Sequence, residues 1–279
     1  MKYAIIALLM AFALLGNIRP AQAQDHKLSK IWQTADVLKT PESVLYDGSR
    51  NILFFSNIGD TTGGKNGKGS LGKLGVDGKV IKLDWVTGMN GPKGLGRFHN
   101  LLYAADIDEV VVVDIESAKI QKRIPVRGAQ FLNDITVDAK GVVYVSDTKT
   151  GKVHRIEKGL VSDYAEGIEG ANGVLAVGDD VYVLGNGNMY KVDKGRKVER
   201  MVTGMDASTD GIEMVKEKEF LVSAWDGIIY YINKNGSKQT LLDIRKSKVN
   251  TADIGYDAKT RMVYVPTFFK NSVIAYRLQ

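Results

Sequence analysis

Phe131–Ile156 reads FLNDITVDAKGVVYVSDTKTGKVHRI. Asn133 and Asp134 open a short strand, and a turn at Asp138–Gly141 ends it. A wholly apolar strand, Val142–Val145, follows and is closed by Ser146 and Asp147. A second turn, Lys149–Gly151, leads into an alternating strand, Lys152–Ile156. Strands joined by turns this tight can only fold back on one another, so the stretch is an antiparallel meander.

The pattern recurs five more times. Its apolar second strand appears at Ile52–Ser56, Leu101–Ala105, Val142–Ser146, Val181–Leu184, Phe220–Ser223 and Met262–Pro266. An aromatic stands in register in five of the six (Phe54, Tyr103, Tyr144, Tyr182, Tyr264), with Leu221 in the other. The first strands open at Glu42, Lys93, Asn133, Asn172, Asp210 and Ala252, at intervals of 51, 40, 39, 38 and 42. The long interval contains a glycine-rich insert, Gly59–Gly69. Six units of this period, four strands each, predict an all-β, six-bladed β-propeller. Third strands are expected at Ser70–Leu74, Val110–Asp114, Lys152–Ile156, Met189–Val192, Ile228–Ile232 and Ser272–Tyr276. Only five fourth strands follow, because the chain ends after the third strand of the sixth unit. Ser29–Ala35 (SKIWQTA) can supply the missing one by pairing with Ser272–Tyr276. Such an N-terminal strand would close the last blade and cover its edge.

The first 23 residues stand apart. Lys2, the apolar run Ala4–Leu15 and the small-residue site Ala21-Gln22-Ala23 read as a secretory signal peptide cleaved after Ala23, leaving 24–279 as a single domain. The apolar run is 12 residues, and a membrane span needs ~20, so no span is expected after cleavage. The expected location is periplasmic or secreted, as a monomer. Without Lys2 and Arg19, the remaining chain has 36 basic and 32 acidic residues. That small surplus forms no basic run, which argues against a nucleic-acid partner. There is no cysteine, hence no disulfide and no thiolate metal site.

In a propeller the innermost strands start at one mouth of the central channel, so the six opening residues converge. Glu42, Asn133, Asn172 and Asp210 offer oxygen ligands only, a set that suits a hard divalent cation such as Ca2+ or Mg2+. Asn and Asp also cap turns before strands, and for one residue that is the simpler reading. Four at one register of a six-fold repeat favour a shared site.

The chain resembles the senescence-marker-protein/gluconolactonase/luciferin-regenerating-enzyme family of six-bladed propellers. The resemblance covers the mature chain at the repeat level and rests on Glu42 in PESVLYD, Asn133 in FLNDITVD, Asn172 in ANGVLAV and Asp210 in TDGIEMV. It implies one divalent cation, Ca2+ foremost with Mg2+, Mn2+ or Zn2+ as alternatives. The implied ligands are Glu42, Asn172 and Asp210, with Asn133 in or next to the ligand set. It also implies a metal-dependent hydrolase of lactones or related esters, with Asp210 as general base. The chain departs from the family in three ways. Phe131 stands where sugar lactonases often carry an Arg, Ser43 follows Glu42 where Gly is usual, and Lys93 adds a positive charge. Lys93 could hold a substrate carboxylate or partly neutralise the site. Asp134, Trp225 and Phe268 join it as candidate substrate contacts, the aromatics as an apolar wall for a small molecule. For the aromatics, packing on neighbouring loops is the simpler reading. The insert GDTTGGKNGKGS fails the phosphate-loop pattern, since Lys68 is followed by Gly69; it reads as a loop at the mouth, either a lid or a plain connection. His26, His99 and His154 fall outside the ring, so histidine-based hydrolysis is not expected. The alternative from another class is a non-catalytic exported propeller that binds a small ligand or protein partner.

Overall fold

The computed structural model describes residues 25–59 and 64–279. The expected signal peptide and four residues of the glycine-rich insert lie outside them. The described residues form six four-stranded antiparallel sheets. The first strands of successive sheets touch, and the first strand of blade 1 touches that of blade 6, so the sheets form a closed ring. These inner strands are Pro41–Asp47, Pro92–Phe98, Leu132–Val137, Ala171–Val177, Thr209–Lys216 and Gly255–Asp257.

The second strands are buried because neighbouring blades cover both of their faces. Val143–Asp147 and Met262–Pro266 are buried at every residue, which is why they carry continuous apolar runs instead of alternation. The core is accordingly a series of clusters between blades. One of them joins Phe54, Leu71 and Met89 of blade 1 to Leu95, Leu102 and Val111 of blade 2. The outermost strands, such as Val198–Val202, are mostly exposed.

Blade 6 is completed by the N-terminal strand Leu28–Gln33, antiparallel to Val273–Leu278, with Ser29 opposite Arg277 and Gln33 opposite Ile274. The pairing is the expected one, with the first strand one or two residues nearer the N-terminus than Ser29–Ala35 and its partner one or two nearer the C-terminus than Ser272–Tyr276. Thr34 extends it, its N–H donating to the Val273 carbonyl at 3.0 Å and its Oγ1 accepting from the Val273 N–H at 3.0 Å. Trp32 Nε1 donates to the Val76 carbonyl of blade 1 at 3.0 Å. The closing strand therefore also ties the last blade to the first. A second seam lies at the axis, where Asp253 N–H donates to the Glu42 carbonyl at 3.0 Å. Among the described residues no helix is long and apolar enough to cross a membrane.

Candidate active site at the channel mouth

The opening residue of each of the first five blades sits in a β-bulge. Register between first and second strands breaks at Pro41/Val44, Pro92/Leu95, Leu132/Ile135, Ala171/Val174 and Thr209/Ile212. A bulge leaves one residue out of the ladder and re-aims its side chain. Here it releases Glu42, Lys93, Asn133, Asn172 and Asp210 toward the axis. The freed backbone needs a partner, and in three blades a second-strand serine provides it. Ser56 Oγ accepts from Ser43 N–H at 2.9 Å, Ser146 Oγ from Asp134 N–H at 3.0 Å and Ser223 Oγ from Gly211 N–H at 2.8 Å. Those serines are visible at the ends of the apolar runs, but their role depends on a bulge that no sequence pattern announces.

The glycines after Asn172 and Asp210 have a packing reason. A Cβ on Gly173 would lie 2.1 Å from the Asp210 carbonyl oxygen, and one on Gly211 2.5 Å from Asp253 Oδ1. Glycine lets adjacent inner strands close on the axis. The Asn-Gly and Asp-Gly pairs are thus half site and half scaffold.

The five opening residues line one cavity of about 350 Å³, together with Phe131, Thr148, Asn186, Ser208, Trp225 and Phe268. Glu42 and Asp210 are each 3% exposed. Lys93 Nζ lies 3.3 Å from Glu42 Oε1. Asn172 Nδ2 donates to Asp210 Oδ1 at 2.9 Å and to the Thr209 carbonyl at 3.3 Å. Asn133 Nδ2 donates to Thr148 Oγ1 at 3.0 Å, and that hydroxyl donates to the Ala171 carbonyl at 2.8 Å. Both amides therefore commit their NH2 groups to the protein. Of the buried oxygens on the residues that line this cavity, two have no hydrogen-bond partner in the protein, Glu42 Oε2 and Asn172 Oδ1. Orphaned buried acceptors of this kind are rare and call for an explanation.

Electrostatics follow from burial. The Asp210 carboxyl is held well above the usual carboxylate range by desolvation first, then by the charges of Glu42 and Asp253, against the pull of Lys93 and Asn172. Glu42 is raised by desolvation, with Lys93 opposing. One ammonium thus serves two buried carboxylates. The donor set fits a hard cation in its chemistry, with an orphaned carboxylate oxygen and an orphaned amide oxygen in one cavity beside Asp210. It is not a carboxylate cage: among the described residues no group of three or more His, Cys, Asp or Glu side chains could share an ion.

Asp134 departs from expectation. It does not line the mouth cavity but faces a second one, of about 260 Å³, further along the channel with Asp253 and Glu213. Its Oδ1 accepts from the Ile135 N–H at 2.6 Å and its Oδ2 from the Val174 N–H of the next blade at 2.7 Å. It is a clamp between inner strands, and its alternating position beside Asn133 turns it away from the mouth.

Two contributors, Thr148 and Ser208, were not singled out from sequence, and Phe131 was noted only as a departure from the family pattern. Phe131 carries Lys93 Nζ 4.8 Å and Lys149 Nζ 5.6 Å from its ring centroid. Blades 2 and 3 thus each bring an ammonium group to this ring. Thr148 orients Asn133, and Ser208 lies on the rim. Trp225 and Phe268 line the cavity and also pack edge-to-face on each other at 5.4 Å. The glycine-rich insert is tied to blade 2 by Lys65–Asp108 at 2.7 Å and Gly67 N–H to Asn90 Oδ1 at 3.3 Å. No histidine lines the mouth cavity.

Among solved structures the fold recurs in virginiamycin B lyase from Staphylococcus aureus. A catalytically inactive histidine-to-alanine variant with quinupristin gives a TM-score of 0.66 at 10% identity, over 91% of this chain and 99% of that one. A streptogramin B lyase gives 0.65 at 11% identity, over 91% and 98%. A chain of a nidogen/laminin complex gives 0.64 at 12% identity, over 78% and 84%. At such identities the likeness is one of fold, a six-bladed propeller. No family model matches the chain, and no curated protein does.

Proposed function

We propose that the chain is an exported metal-dependent hydrolase of lactones or related esters acting at this mouth, in keeping with its resemblance to the gluconolactonase-like propellers. The observation that carries the reading is the pair of orphaned buried oxygens, Glu42 Oε2 and Asn172 Oδ1, in the cavity that holds Asp210. Glu42, Asn172 and Asp210 would hold one divalent cation, Ca2+ foremost, with Asn133 Oδ1 beside them. When bound, a cation of this kind polarises a carbonyl and stabilises the developing oxyanion.

The protein's own part is positioning and proton transfer. Asp210, in its ionised form, takes a proton from a water whose oxygen bonds to the acyl carbon. The acyl C–O bond then breaks, and the protonated Asp210 returns the proton to the leaving alkoxide oxygen, giving a hydroxy acid. Asn172 orients Asp210 through its NH2 group.

The experiment is metal analysis of the purified protein beside a lactone and ester screen with Ca2+, Mg2+, Mn2+ or Zn2+. Hydrolysis that needs one of these ions and is lost in Asp210→Asn supports the reading; no hydrolysis with any ion rejects it. The Lys93–Glu42 ion pair favours a second reading. A site that already carries its own cation can hold an anionic ligand without catalysis, which would make the chain a small-molecule-binding module. Cleavage after Ala23 is checked by the mass of the mature protein, which should begin at Gln24.

A further inference from the structure

The two sides of the mouth differ in chemistry. On the blade 2 and 3 side, the ammonium groups of Lys93 and Lys149 approach one ring, that of Phe131. Lys93 is shared with Glu42. Lys149 is exposed, and among the described residues no carboxylate pairs with it. On the blade 5 and 6 side, Trp225, Phe268 and Phe269 meet edge-to-face, with ring centroids 4.7 to 5.8 Å apart. Phe268 is buried against Ile58 and Ala252, which gives that wall a rigid apolar backing. Ala252 is the one opening residue with no polar atom on its side chain.

We infer that the ligand of this mouth is an amphipathic carboxylate, its anionic group held at Lys93 and Lys149 across Phe131 and its apolar, ring-bearing body laid against Trp225 and Phe268. The inference deepens the proposed function by naming the substrate class of the same site. A polyhydroxylated sugar acid suits this cavity poorly. Those of its hydroxyls that fall on the Trp225 and Phe268 side would meet ring faces that offer no ordinary hydrogen bond, and a buried hydroxyl left unbonded is costly. An aromatic ring gains from the same faces through edge and offset contacts. The cavity, about 350 Å³, lies at the small end of ligand pockets, which fits a single ring with a short acid arm.

The test is calorimetric titration of the full-length mature protein, with and without Ca2+, using 3-phenylpropionate, its uncharged amide, and gluconate. 3-Phenylpropionate should bind at least about tenfold more tightly than either of the others, the scale of one charge-assisted contact. Lys93→Met should bring acid and amide close to parity, Lys93→Arg should keep the preference, and Lys149→Met should reduce it in part. Trp225→Ser should weaken both phenyl probes and leave their ratio unchanged. Equal binding of acid and amide, tighter binding of gluconate, or no binding of any probe overturns the inference. Lactone hydrolysis is scored separately. Probe binding in the expected order without hydrolysis removes the hydrolase reading and leaves this one. Hydrolysis of gluconolactone with no binding of 3-phenylpropionate does the reverse.

Discussion

Two layers of buried acids sit one residue apart along the channel. The upper layer is Glu42 and Asp210; the lower is Asp134 and Asp253. All four are held above the ordinary carboxylate range, with desolvation the first cause in each. Charge and burial do not separate them. Hydrogen bonding does. Asp134 has each oxygen on a backbone N–H, and Asp253 Oδ2 accepts from the Ser43 hydroxyl at 2.5 Å. The upper layer retains an orphaned oxygen on Glu42 and, beside Asp210, another on Asn172. A perturbed acid is therefore weak evidence for a site, since structural networks perturb acids too. An acid beside acceptors that the fold does not satisfy is stronger evidence.

The largest expected difference between the layers is in rate. Asp210→Asn keeps the side chain's volume and an oxygen, so the ring should fold as before. If Asp210 is the base, hydrolysis falls ~10²–10⁴-fold. Asp134→Ala should act in the opposite sense. It leaves the Ile135 and Val174 N–H groups buried without acceptors, each costing ~1–3 kcal/mol. For a chain of this size 1 kcal/mol shifts the melting temperature by about 2–4 °C. Thermal melts and kcat measured on both variants check the contrast. A stable Asp134→Ala with no activity, or an unfolded Asp210→Asn, would break it.

Cation binding should come next in size. A ligand that binds only the native state at a hundred times its Kd adds ~2.7 kcal/mol of stability. Ca2+ should raise the melting temperature of the wild type and do so much less in Glu42→Gln. Lys93 sharpens the test. Its ammonium lies 3.3 Å from Glu42 Oε1 and competes for the same charge, so Lys93→Met should bind Ca2+ more tightly than wild type. Weaker binding in Lys93→Met would mean that the lysine supports the cation site instead of opposing it.

The repeat was legible because its signals are local. Apolar second strands, turn residues and a period near 40 are written along the chain, and a missing fourth strand points to the N-terminus for its partner. The opening residues were legible as a register. What the residues do at that register was only partly so. The bulges at Pro41/Val44 and its counterparts arise from how inner strands crowd the axis, which is a property of the closed ring. Asp134 turns from the mouth by its alternation with Asn133, while Thr148 and Phe131 reach the cavity from either end of the hairpin that carries Asn133. Lys93 was legible as a charge but not as a partner, because Glu42 is 51 residues away and meets it only once the ring closes.

The smallest expected effect lies at the far end of the channel, at Glu213. It lines the lower cavity with Asp134 and Asp253, and desolvation pushes its carboxyl up to about 8, against the pull of a hydrogen bond from the Tyr256 backbone. The native chain then holds a proton there that the unfolded chain, near the ordinary glutamate value of 4.5, has released. Where the native state binds more protons, stability falls as pH rises. The loss should therefore begin above about 4.5 and be complete above about 8. Glu213→Gln removes the titration while keeping the shape. Its melting temperature should match wild type at the acid end of that window and exceed it by a growing margin toward the basic end. The margin should be modest, because Glu213 is only half-buried and the charge of a partly exposed group is screened by solvent. A difference that is flat with pH would mean that Glu213 is ionised in the native ring. The channel would then be wet through to the lower acids, and Asp134 and Asp253 would have to share its negative potential.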